Sequence, residues 1–420
     1  MFLHIYTFLY SLTLPFILPR EFFKRSKNIR KQWLKEKFAL YKEISFENEK
    51  KKRIWIHAVS VGEVIAVSRL IKELSKKYNI ILSTITDTGQ KVAYQRFKDL
   101  PVKVIYLPFD YPFAIKRVIK ILKPSILVIA ETEIWPNLVT ISSKYIPVLL
   151  INARLSENSF KGYKKLKRFF KDVLNSFSII GVQEDIYKNR FKKLGVPEEK
   201  IVITGNTKFD IEIKEIKFPW ENSLPHPIIT AGSTHYPEEE LILENFLKVC
   251  KTGSLLIVPR HPQRFREVED TIKNFISKNK DITFYKTTEI SDKKDIQMRN
   301  KVILLVDQMG ILGALYRICD IAIIGGSFIP HGGQNPLEAI YWKKPVIFGP
   351  SMENFPFIKE FLEIGGCIQV NKEDLENTLK FLIENKEKAK ELGEKAYQLY
   401  LSKTGATKKS LVLIEQFISK

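Results

Sequence analysis

Short apolar runs that alternate with helical patterns constrain this sequence more than any other feature. In the first half, from residue 54 onward, the runs are RIWIHAVS, NIILSTIT, VKVIYLP, SILVIAE, IPVLLINA and SIIGVQ. Each is short enough for a buried strand, and the segments between them have the periodicity of helices. Strand–helix alternation of this kind predicts an α/β fold with a parallel, doubly wound sheet.

The alternation lapses once, near the middle of the chain. The segment EIKEIKFPWENSLPHP is charged, rich in proline and without clean periodicity, which predicts a linker over 214–227. The runs PIITAGS, SLLIVPRHP, ITFYK, VILLVD, IAIIGGS, PVIFGP and GCIQV then resume the pattern. We therefore predict two Rossmann-like domains, 54–213 and 228–400, that face a cleft. A C-terminal helix over 401–420 can cross back to the first domain.

The N-terminal segment MFLHIYTFLYSLTLPFILP carries no charge unless His4 is protonated. As a helix, residues 1–19 would extend roughly 28 Å at ~1.5 Å per residue, about the thickness of the hydrocarbon core of a bilayer. The basic residues follow the apolar run, so the positive-inside rule leaves the rest of the chain in the cytoplasm. The segment predicts a membrane anchor, with a buried hairpin or a docked helix as the alternative.

Residues 20–53 hold 13 Lys and Arg against 5 Asp and Glu. Phe22, Ile29, Trp33 and Leu40 recur among those charges at helical spacing. This pattern predicts a basic amphipathic helix on anionic headgroups. The alternative is a solvated basic face whose apolar stripe packs on the body of the protein.

The formal net charge of +21 is compatible with nucleic acid, an anionic membrane surface or an acidic substrate as the partner. A nucleic-acid-binding protein would place its basic residues along a recognition helix or an aromatic RNA-binding sheet, and the sequence has neither pattern. The three cysteines are far apart and the six histidines have no metal-ligand spacing. This argues against a disulfide framework and against a metal site.

The stretch WIHAVSVGEVIAVSRLIKEL places Glu63 after a strand and a glycine, at the beginning of a helix. The structural interpretation is an acid in the first helical turn, where the macrodipole stabilises a carboxylate by ~0.3–1 kcal/mol. The functional interpretation is a general base for an incoming hydroxyl. The two have opposite consequences for the pKa of Glu63, because the dipole favours the charged, less basic form.

Two other segments of the first half carry candidate residues. Glu131 and Glu133, in ETEIWPNL, stand one residue apart near a strand end and would share a face in an extended chain. Acids of a turn beside a buried tryptophan are the alternative. The segment 152–171 has six basic residues between Lys161 and Lys171 with no acid among them, interleaved with aromatic residues. These residues could grip the phosphates of an amphiphilic anionic acceptor, or form a solvated lysine face.

Two loops of the second half are suited to an anion. AGSTHYPEE places Ser233 at a strand end, where free N–H groups suit an anion, although helix capping explains the pattern equally well. VPRHPQRF places Arg260 and His261 at the end of an apolar strand, between prolines. An arginine held in this way has the right shape for a phosphate.

The strongest candidate site is GGSFIPHGGQNPLEAIYWKKPVIFGP, over 325–350. Gly332 and Gly333 would let the backbone approach a phosphate at a helix N-terminus, since Pro336 suits the first helical position. Glu338 would project from the first turn and accept hydrogen bonds from the two hydroxyls of a ribose. The motif is neither a dinucleotide fingerprint nor a P-loop.

The motifs HAVSVGE, ETEIWPNL, NARLS, GNTKFD, AGSTH, PRHP and GGQNPLEA occur in this order and together cover nearly the whole chain. In this combination the sequence resembles the 3-deoxy-D-manno-octulosonic acid (Kdo) transferases of lipopolysaccharide synthesis. GGxNPLEA with PVIxGP alone would indicate only the GT-B superfamily. The additional presence of SVGE and ETEIWPN restricts the resemblance to the Kdo transferases.

The resemblance implies a GT-B fold, an inverting transfer without a metal, no cofactor, CMP-Kdo as the donor and a lipid A precursor, lipid IVA, as the acceptor. It implies that Glu63 is the catalytic base and that the enzyme works at the cytoplasmic face of the inner membrane. The implied donor site consists of Ser233, Arg260, His261, Gly332, Gly333, Asn335 and Glu338. The implied acceptor or cleft residues are Glu131, Lys161, Lys164, Lys165 and Lys208.

Two other classes of protein would share parts of this sequence. Another GT-B enzyme that uses a UDP-sugar, as a transferase or an epimerase, would share the C-terminal motifs. A non-enzymatic membrane scaffold would keep the anchor but would have no use for HGGQNPLEA. The number of Kdo residues transferred depends on the acceptor subsite, and no motif reports it.

Overall fold

The computed structural model describes residues 2–41, 44–277, 281–290 and 300–419. Lys42 and Glu43, in the predicted basic segment, lie outside the described residues. The chain forms two compact units, Met1–Asp210 with Lys403–Lys420, and Ile211–Ser402.

The first unit is built on a parallel sheet of seven strands in the part of the chain that the structure describes. The sheet order is β3-β2-β1-β4-β5-β6-β7. The strands are β1 (Arg53–His57), β2 (Asn79–Thr84), β3 (Val102–Tyr106), β4 (Ile126–Ala130), β5 (Val148–Ala153), β6 (Ile179–Val182) and β7 (Ile201–Ile203). Six of the strands were predicted from apolar runs. Ile201–Ile203 was missed, because three residues are too few for a periodic signal.

Helices cover both faces of this sheet. They are α1 (Phe2–Lys24), α2 (Lys27–Lys37), α3 (Val61–Ala66), α4 (Ser68–Ser75), α5 (Asp87–Phe97), α6 (Pro112–Leu122), α7 (Pro136–Ser142), α8 (Glu157–Lys165), α9 (Lys167–Asn175) and α10 (Asp185–Leu194). Alternate residues of β1 face opposite sides: Trp55 belongs to one buried cluster, whereas Ile54 and Ile56 belong to another. The near-continuous apolar strands are thus explained by a sheet that is buried on both faces.

The second unit repeats this architecture, with sheet order β10-β11-β9-β8-β12-β13-β14. Its strands are β8 (Ile228–Thr234), β9 (Gly253–Pro259), β10 (Ile282–Lys286), β11 (Lys301–Leu305), β12 (Ile321–Ile324), β13 (Val346–Phe348) and β14 (Ile368–Gln369). Its helices are α11 (Glu238–Val249), α12 (Phe265–Ile276), α13 (Leu312–Leu315), α14 (Leu337–Tyr341), α15 (Ile358–Glu363), α16 (Leu375–Glu384) and α17 (Lys386–Ser402).

Two segments outside the sheets belong to these units. The last helix, α18 (Ala406–Ile418), places Ile414 and Ile418 in the core of the first unit. Residues 214–227, predicted to be a linker, are packed within the second unit: Trp220 is buried, and Arg317 donates to the Ile216 carbonyl at 3.0 Å.

The N-terminal helix α1 is docked on the first unit by one face. The Tyr6 hydroxyl donates to the buried Asp110 carboxylate at 2.9 Å, and the Asn137 side chain donates to the Thr7 hydroxyl at 3.0 Å. Its length and apolar composition would allow it to cross a membrane. Its opposite face exposes Ile5, Phe8, Leu12, Phe16 and Phe23, while Phe2, Leu9 and Ile17 are exposed at the edges of the docked face.

The apolar stripe predicted for residues 20–53 packs inward, which corrects the expectation that it lies on headgroups. Trp33 is buried with Tyr106 and Phe109, and Phe22 packs against the same cluster. Leu40, at the end of the predicted stripe, is exposed. The alternative, a solvated basic face over an apolar stripe that packs on the body, describes α2 correctly.

Candidate active site

The strand order of the first sheet changes direction between β1 and β4, which pair with each other. Ligands of doubly wound sheets bind outside the carboxyl ends of the strands at such a point. Glu63 follows β1, whereas Glu131 and Glu133 follow β4. The topology therefore brings the three predicted carboxylates to one place in the first unit.

Glu63 is half-buried in the first turn of α3, and its carboxylate accepts two local hydrogen bonds. The Val59 N–H donates to Oε2 at 2.8 Å, and the Ser60 hydroxyl donates to Oε1 at 3.2 Å. Burial raises the pKa of Glu63 to about 7, helped by the charges of Glu133 and Glu131 and opposed by the two hydrogen bonds. Desolvation outweighs the capping bonds, so Glu63 has the basicity of a general base near neutral pH.

Glu131 and Glu133 lie on a turn, so the extended geometry expected for them is wrong. Glu131 has φ of 57°, in the left-handed region. Its carboxylate lies 3.2 Å from Nε of Arg154 and 3.6 Å from Nζ of Lys208. Trp135 Nε1 donates to Glu133 at 3.1 Å, and burial raises the pKa of Glu133. Glu131 is thus ion-paired, whereas Glu133 is half-buried and bound to the indole of Trp135.

The predicted acceptor lysines divide into two groups. Lys208 lies on the short turn Thr207–Phe209 and reaches the carboxylates through Glu131. Lys161, Lys164 and Lys165 are exposed on α8. The structure therefore joins Lys208 to the site at the strand ends, whereas the α8 lysines are exposed to solvent and their role as phosphate ligands stays a prediction.

The second sheet has a corresponding change of direction between β8 and β12. Ser233, at the end of β8, has φ of 59°, and Arg260 follows the neighbouring strand β9. The Arg260 N–H donates to the Thr234 carbonyl at 3.0 Å, which fixes the backbone while the side chains of Arg260 and His261 stay exposed. An exposed guanidinium beside an exposed imidazole at a switch point is suited to an anionic ligand.

Glu338 and Asn335 complete the candidate site of the second unit. Glu338 is half-buried on α14; burial raises its pKa, and the charge of Arg260 lowers it. The Asn335 carboxamide oxygen accepts the Leu337 N–H at 3.1 Å, just before α14 begins.

The N–H groups of Gly332 and Gly333 are engaged within the protein, which corrects the expectation that they face a phosphate. The Gly332 N–H donates to Ser351 Oγ at 2.8 Å, and the Gly333 N–H donates to the Gly326 carbonyl at 2.8 Å. Their φ angles are 90° and 76°, and a Cβ on Gly333 would lie 2.2 Å from Met352 Sδ. The two glycines are therefore required by the turn itself.

Two histidines that were not singled out from the sequence join His261. The ring of His235 lies 5.5 Å from that of His261 and 4.2 Å from that of His331. Burial and the neighbouring charges of His331 and His261 lower the pKa of His235 to about 4. His235 Nε2 is buried without a hydrogen-bond partner among the described residues. In the sequence, only the positions of these histidines after predicted strands indicated that they could belong to a site.

Glu238 was also missed, and it organises the loop after β12. Its carboxylate accepts the N–H groups of Gly326, Ser327 and Phe328 at 2.6, 3.0 and 2.9 Å. A carboxylate that accepts hydrogen bonds from three successive backbone N–H groups holds that loop in one conformation. The sequence showed only an acid in the first turn of α11.

Known proteins share both the sequence motifs and the two-sheet architecture of this chain. A family model described as 3-deoxy-D-manno-octulosonic-acid transferase (kdotransferase) matches residues 32–211, and one described as glycosyl transferases group 1 matches residues 284–399. The solved UDP-GlcNAc 2-epimerase of Neisseria meningitidis, bound to UDP-GlcNAc, has a TM-score of 0.54 and 15% identity, covering 88% of this chain and 100% of that chain. The fold and the group 1 match define a GT-B glycosyltransferase.

Relatives of similar sequence show to which family of GT-B enzymes the chain belongs. The chain is 36% identical to the 3-deoxy-D-manno-octulosonic acid transferase of Haemophilus influenzae over 389 residues, which is 87% of either protein. It is 31% identical to that of Rickettsia felis over 346 residues, 79% of this chain and 71% of the relative. The chain belongs to the Kdo transferase family.

Proposed function

We propose that this enzyme moves Kdo from CMP-Kdo to a hydroxyl of lipid IVA, with inversion at the anomeric carbon and without a metal. The observation that carries the proposal is Glu63: a half-buried carboxylate at the switch point of the first sheet, with a pKa raised to about 7. A base with this pKa is ionised in a useful fraction at neutral pH and still has the basicity to take a proton.

The first unit would activate the acceptor. Glu63 takes the proton of the sugar hydroxyl while the oxygen attacks the anomeric carbon of Kdo, and CMP leaves with the bonding electrons. The carboxylate of Glu131, paired with Lys208 and Arg154, is placed to accept hydrogen bonds from neighbouring hydroxyls. The exposed lysines of α8 suit the phosphates of the acceptor by charge.

The second unit would bind the donor. Arg260 is placed to bind the phosphate of CMP, and Glu338 is placed to accept hydrogen bonds from the ribose hydroxyls. Ser233, His261 and Asn335 would lie against the same nucleotide, and Gly332 and Gly333 would shape the loop that surrounds it. His235 Nδ1 lies 3.2 Å from the Ser233 carbonyl and donates to it, so the neutral ring presents Nε2 as an acceptor, which would suit a hydroxyl of the donor substrate. Cationic side chains then offset the charge of the leaving phosphate in place of a metal.

We also propose that the enzyme works on the cytoplasmic face of the inner membrane and meets it through the outward face of α1. The inward face is held by hydrogen bonds to Asp110 and Asn137, whereas Phe8 and Phe16 on the outward face are 64% and 81% exposed. Arg20 and Lys24 at the end of the helix suit anionic headgroups. If α1 lies in the plane of the membrane surface, its outward face contacts lipid while its inward face stays docked on the first unit.

Product analysis tests the function directly. The purified enzyme is incubated with CMP-Kdo and lipid IVA, and the mass of the lipid product is read. The gain of one or more Kdo units is expected. A lipid of unchanged mass, together with protection against thermal unfolding by UDP and not by CMP, would instead support the UDP-sugar alternative. The number of units added follows from the same spectrum.

A further inference from the structure

The first unit has an open apolar groove of about 410 Å³ that the transfer chemistry does not use. It is lined by Tyr6, Thr132, Glu133, Ile134, Trp135, Pro136, Tyr163, Leu166, Phe169 and Phe170. Four parts of the fold supply these residues: α1, the turn after β4, the beginning of α7, and the α8–α9 pair. A volume of this size is typical of a site for a small ligand or one chain of a larger ligand.

Aromatic stacking fixes the walls of the groove. The rings of Tyr163 and Phe170 stack at 4.1 Å, and Phe169 stands edge-on to Phe170 at 5.1 Å. Tyr6 stacks with Phe169 at 6.1 Å, and its hydroxyl is held by Asp110. The apolar walls therefore exist before any ligand arrives, so that binding requires little ordering of side chains.

One end of the groove is polar and lies beside the candidate base. Glu133 lines the groove and follows β4, and Glu63 follows the neighbouring parallel strand β1, so both carboxylates lie at the same edge of the sheet. A ligand chain in the groove would thus be attached to a head group that lies near both carboxylates. A substrate that carries a reactive sugar hydroxyl next to an acyl chain requires such a site, with an apolar groove beside a carboxylate base.

The surroundings of the groove select the class of ligand. The α8–α9 wall carries six basic residues and no acid between Lys161 and Lys171. On the opposite wall, Phe2 and Leu9, one helical turn on either side of Tyr6, are exposed and continue the apolar surface outward. Charge complementarity and apolar continuity together favour an anionic amphiphile that enters from a membrane surface.

We propose that this groove binds an acyl chain of the acceptor while its sugar is presented to Glu63 and its phosphates to the α8–α9 basic residues. The inference deepens the proposed function and rests on it. It assigns part of the acceptor specificity to the fatty chain, and it assigns the α1 helix a role in substrate binding.

Acceptor selectivity tests the groove. Leu166 is 60% exposed at the groove, so Leu166→Glu places a charge on the wall without burying it. The matched control is Ile186→Glu, on α10 of the same unit, where the side chain is 49% exposed and outside the groove. For each protein, kcat/KM is measured with lipid IVA and with the same phosphorylated disaccharide after removal of its acyl chains.

We expect the ratio of the two kcat/KM values to fall by at least about ten-fold in Leu166→Glu and to stay at the wild-type value in Ile186→Glu. An unchanged ratio in Leu166→Glu, or a wild-type enzyme that does not distinguish the two acceptors, would contradict acyl-chain binding in the groove. Neither result would contradict the proposed Kdo transfer. Absence of transfer to either acceptor by the wild type would contradict the proposed function itself. A loss of vesicle binding with an unchanged ratio would assign the groove to bulk lipid and overturn the proposal.

A binding measurement does not depend on turnover. Trp135 lines the groove, so a glucosamine phosphate with one dibrominated lauroyl chain should quench its fluorescence in the wild type. The quenching is expected to disappear in Trp135→Phe and with the non-brominated probe. Equal quenching in the wild type and in Trp135→Phe would place the chain elsewhere.

Discussion

At the scale of single residues, Glu63 shows how one carboxylate serves two demands. The N–H of Val59 and the hydroxyl of Ser60 stabilise its charged form, as expected for an acid in a first helical turn. Burial and the charges of Glu133 and Glu131 act in the opposite direction and prevail. The structural interpretation, an acid in a first helical turn, is confirmed, whereas the role of general base stays a prediction that the raised pKa supports.

The pH dependence of transfer follows from that balance. Because the base must be ionised, kcat/KM should fall as the pH decreases through a midpoint near 7. Glu133→Gln removes a charge that raises the pKa of Glu63, so the midpoint should move to lower pH. The exposed Glu199→Gln is the control and should keep the wild-type midpoint. A midpoint that stays in place in Glu133→Gln would show that the two carboxylates do not interact.

At the scale of elements, Asp110 connects parts of the chain that are distant in the sequence. Its buried carboxylate accepts the N–H groups of Asn137 and Leu138 at 3.0 and 2.7 Å at the beginning of α7, and the hydroxyl of Tyr6 from α1. One side chain thus caps one helix and holds another. The docking of α1 was only an alternative at the sequence level, because no local pattern reports a hydrogen bond to a residue a hundred positions away.

Asp110→Ala should lower the free energy of unfolding by about 2–4 kcal/mol, because it leaves two buried N–H groups and a tyrosine hydroxyl unpaired. Chemical denaturation followed by far-UV circular dichroism measures the change. Asp99→Ala, at an exposed aspartate, should alter the stability by less than about 0.5 kcal/mol. Equal stabilities of the two variants would mean that the Asp110 network contributes nothing to the fold.

The outward face of α1 should control membrane binding. Phe16 is 81% exposed, and Phe16→Glu removes roughly 2 kcal/mol of apolar transfer, before the cost of placing a charge in lipid. Binding to anionic vesicles, measured by co-sedimentation, should weaken by at least about ten-fold. Phe381→Glu, which adds the same charge at a 47% exposed site of the second unit, should bind as the wild type does. Equal binding by both variants would exclude this face as the contact.

At the scale of the whole molecule, the C-terminal helix does not belong to the unit that precedes it in the chain. Ile414 is fully buried in the core of the first unit with Leu70 and Ile71. The Asp210 carboxylate accepts the Gly405 N–H at 2.6 Å just before the helix begins. The first unit is therefore completed only by the last eighteen residues, Lys403–Lys420.

Ile414→Ala should destabilise the first unit, since it leaves a cavity worth about 2–5 kcal/mol in that core. Hydrogen exchange should accelerate in α4, which packs on α18, while the amides of β8 and β9 keep their protection. Val412→Ala, at a 47% exposed position of the same helix, is the control and should leave both regions unchanged. Faster exchange in the second unit alone would contradict the assignment of α18.

The sheets could be predicted from the sequence because strands that are buried on both faces read as apolar runs, as in Ile126–Ala130. Glu63 could be placed because it follows such a run and a glycine. The cluster around His235 could not be predicted, since three separate loops bring its rings together. Nor could the engagement of the Gly332 N–H by Ser351, because the spacing of glycines indicates conformational freedom and does not name the hydrogen-bond partner.

The central claim is that Glu63 is the base of Kdo transfer, and Glu63→Gln tests it most directly because it keeps the shape of the side chain. Transfer from CMP-Kdo to lipid IVA should fall by at least about a hundred-fold. Protection against thermal unfolding by CMP should stay at the wild-type level, since the nucleotide is assigned to the second unit. Turnover within a few-fold of the wild type, with CMP bound as before, would contradict the role of Glu63.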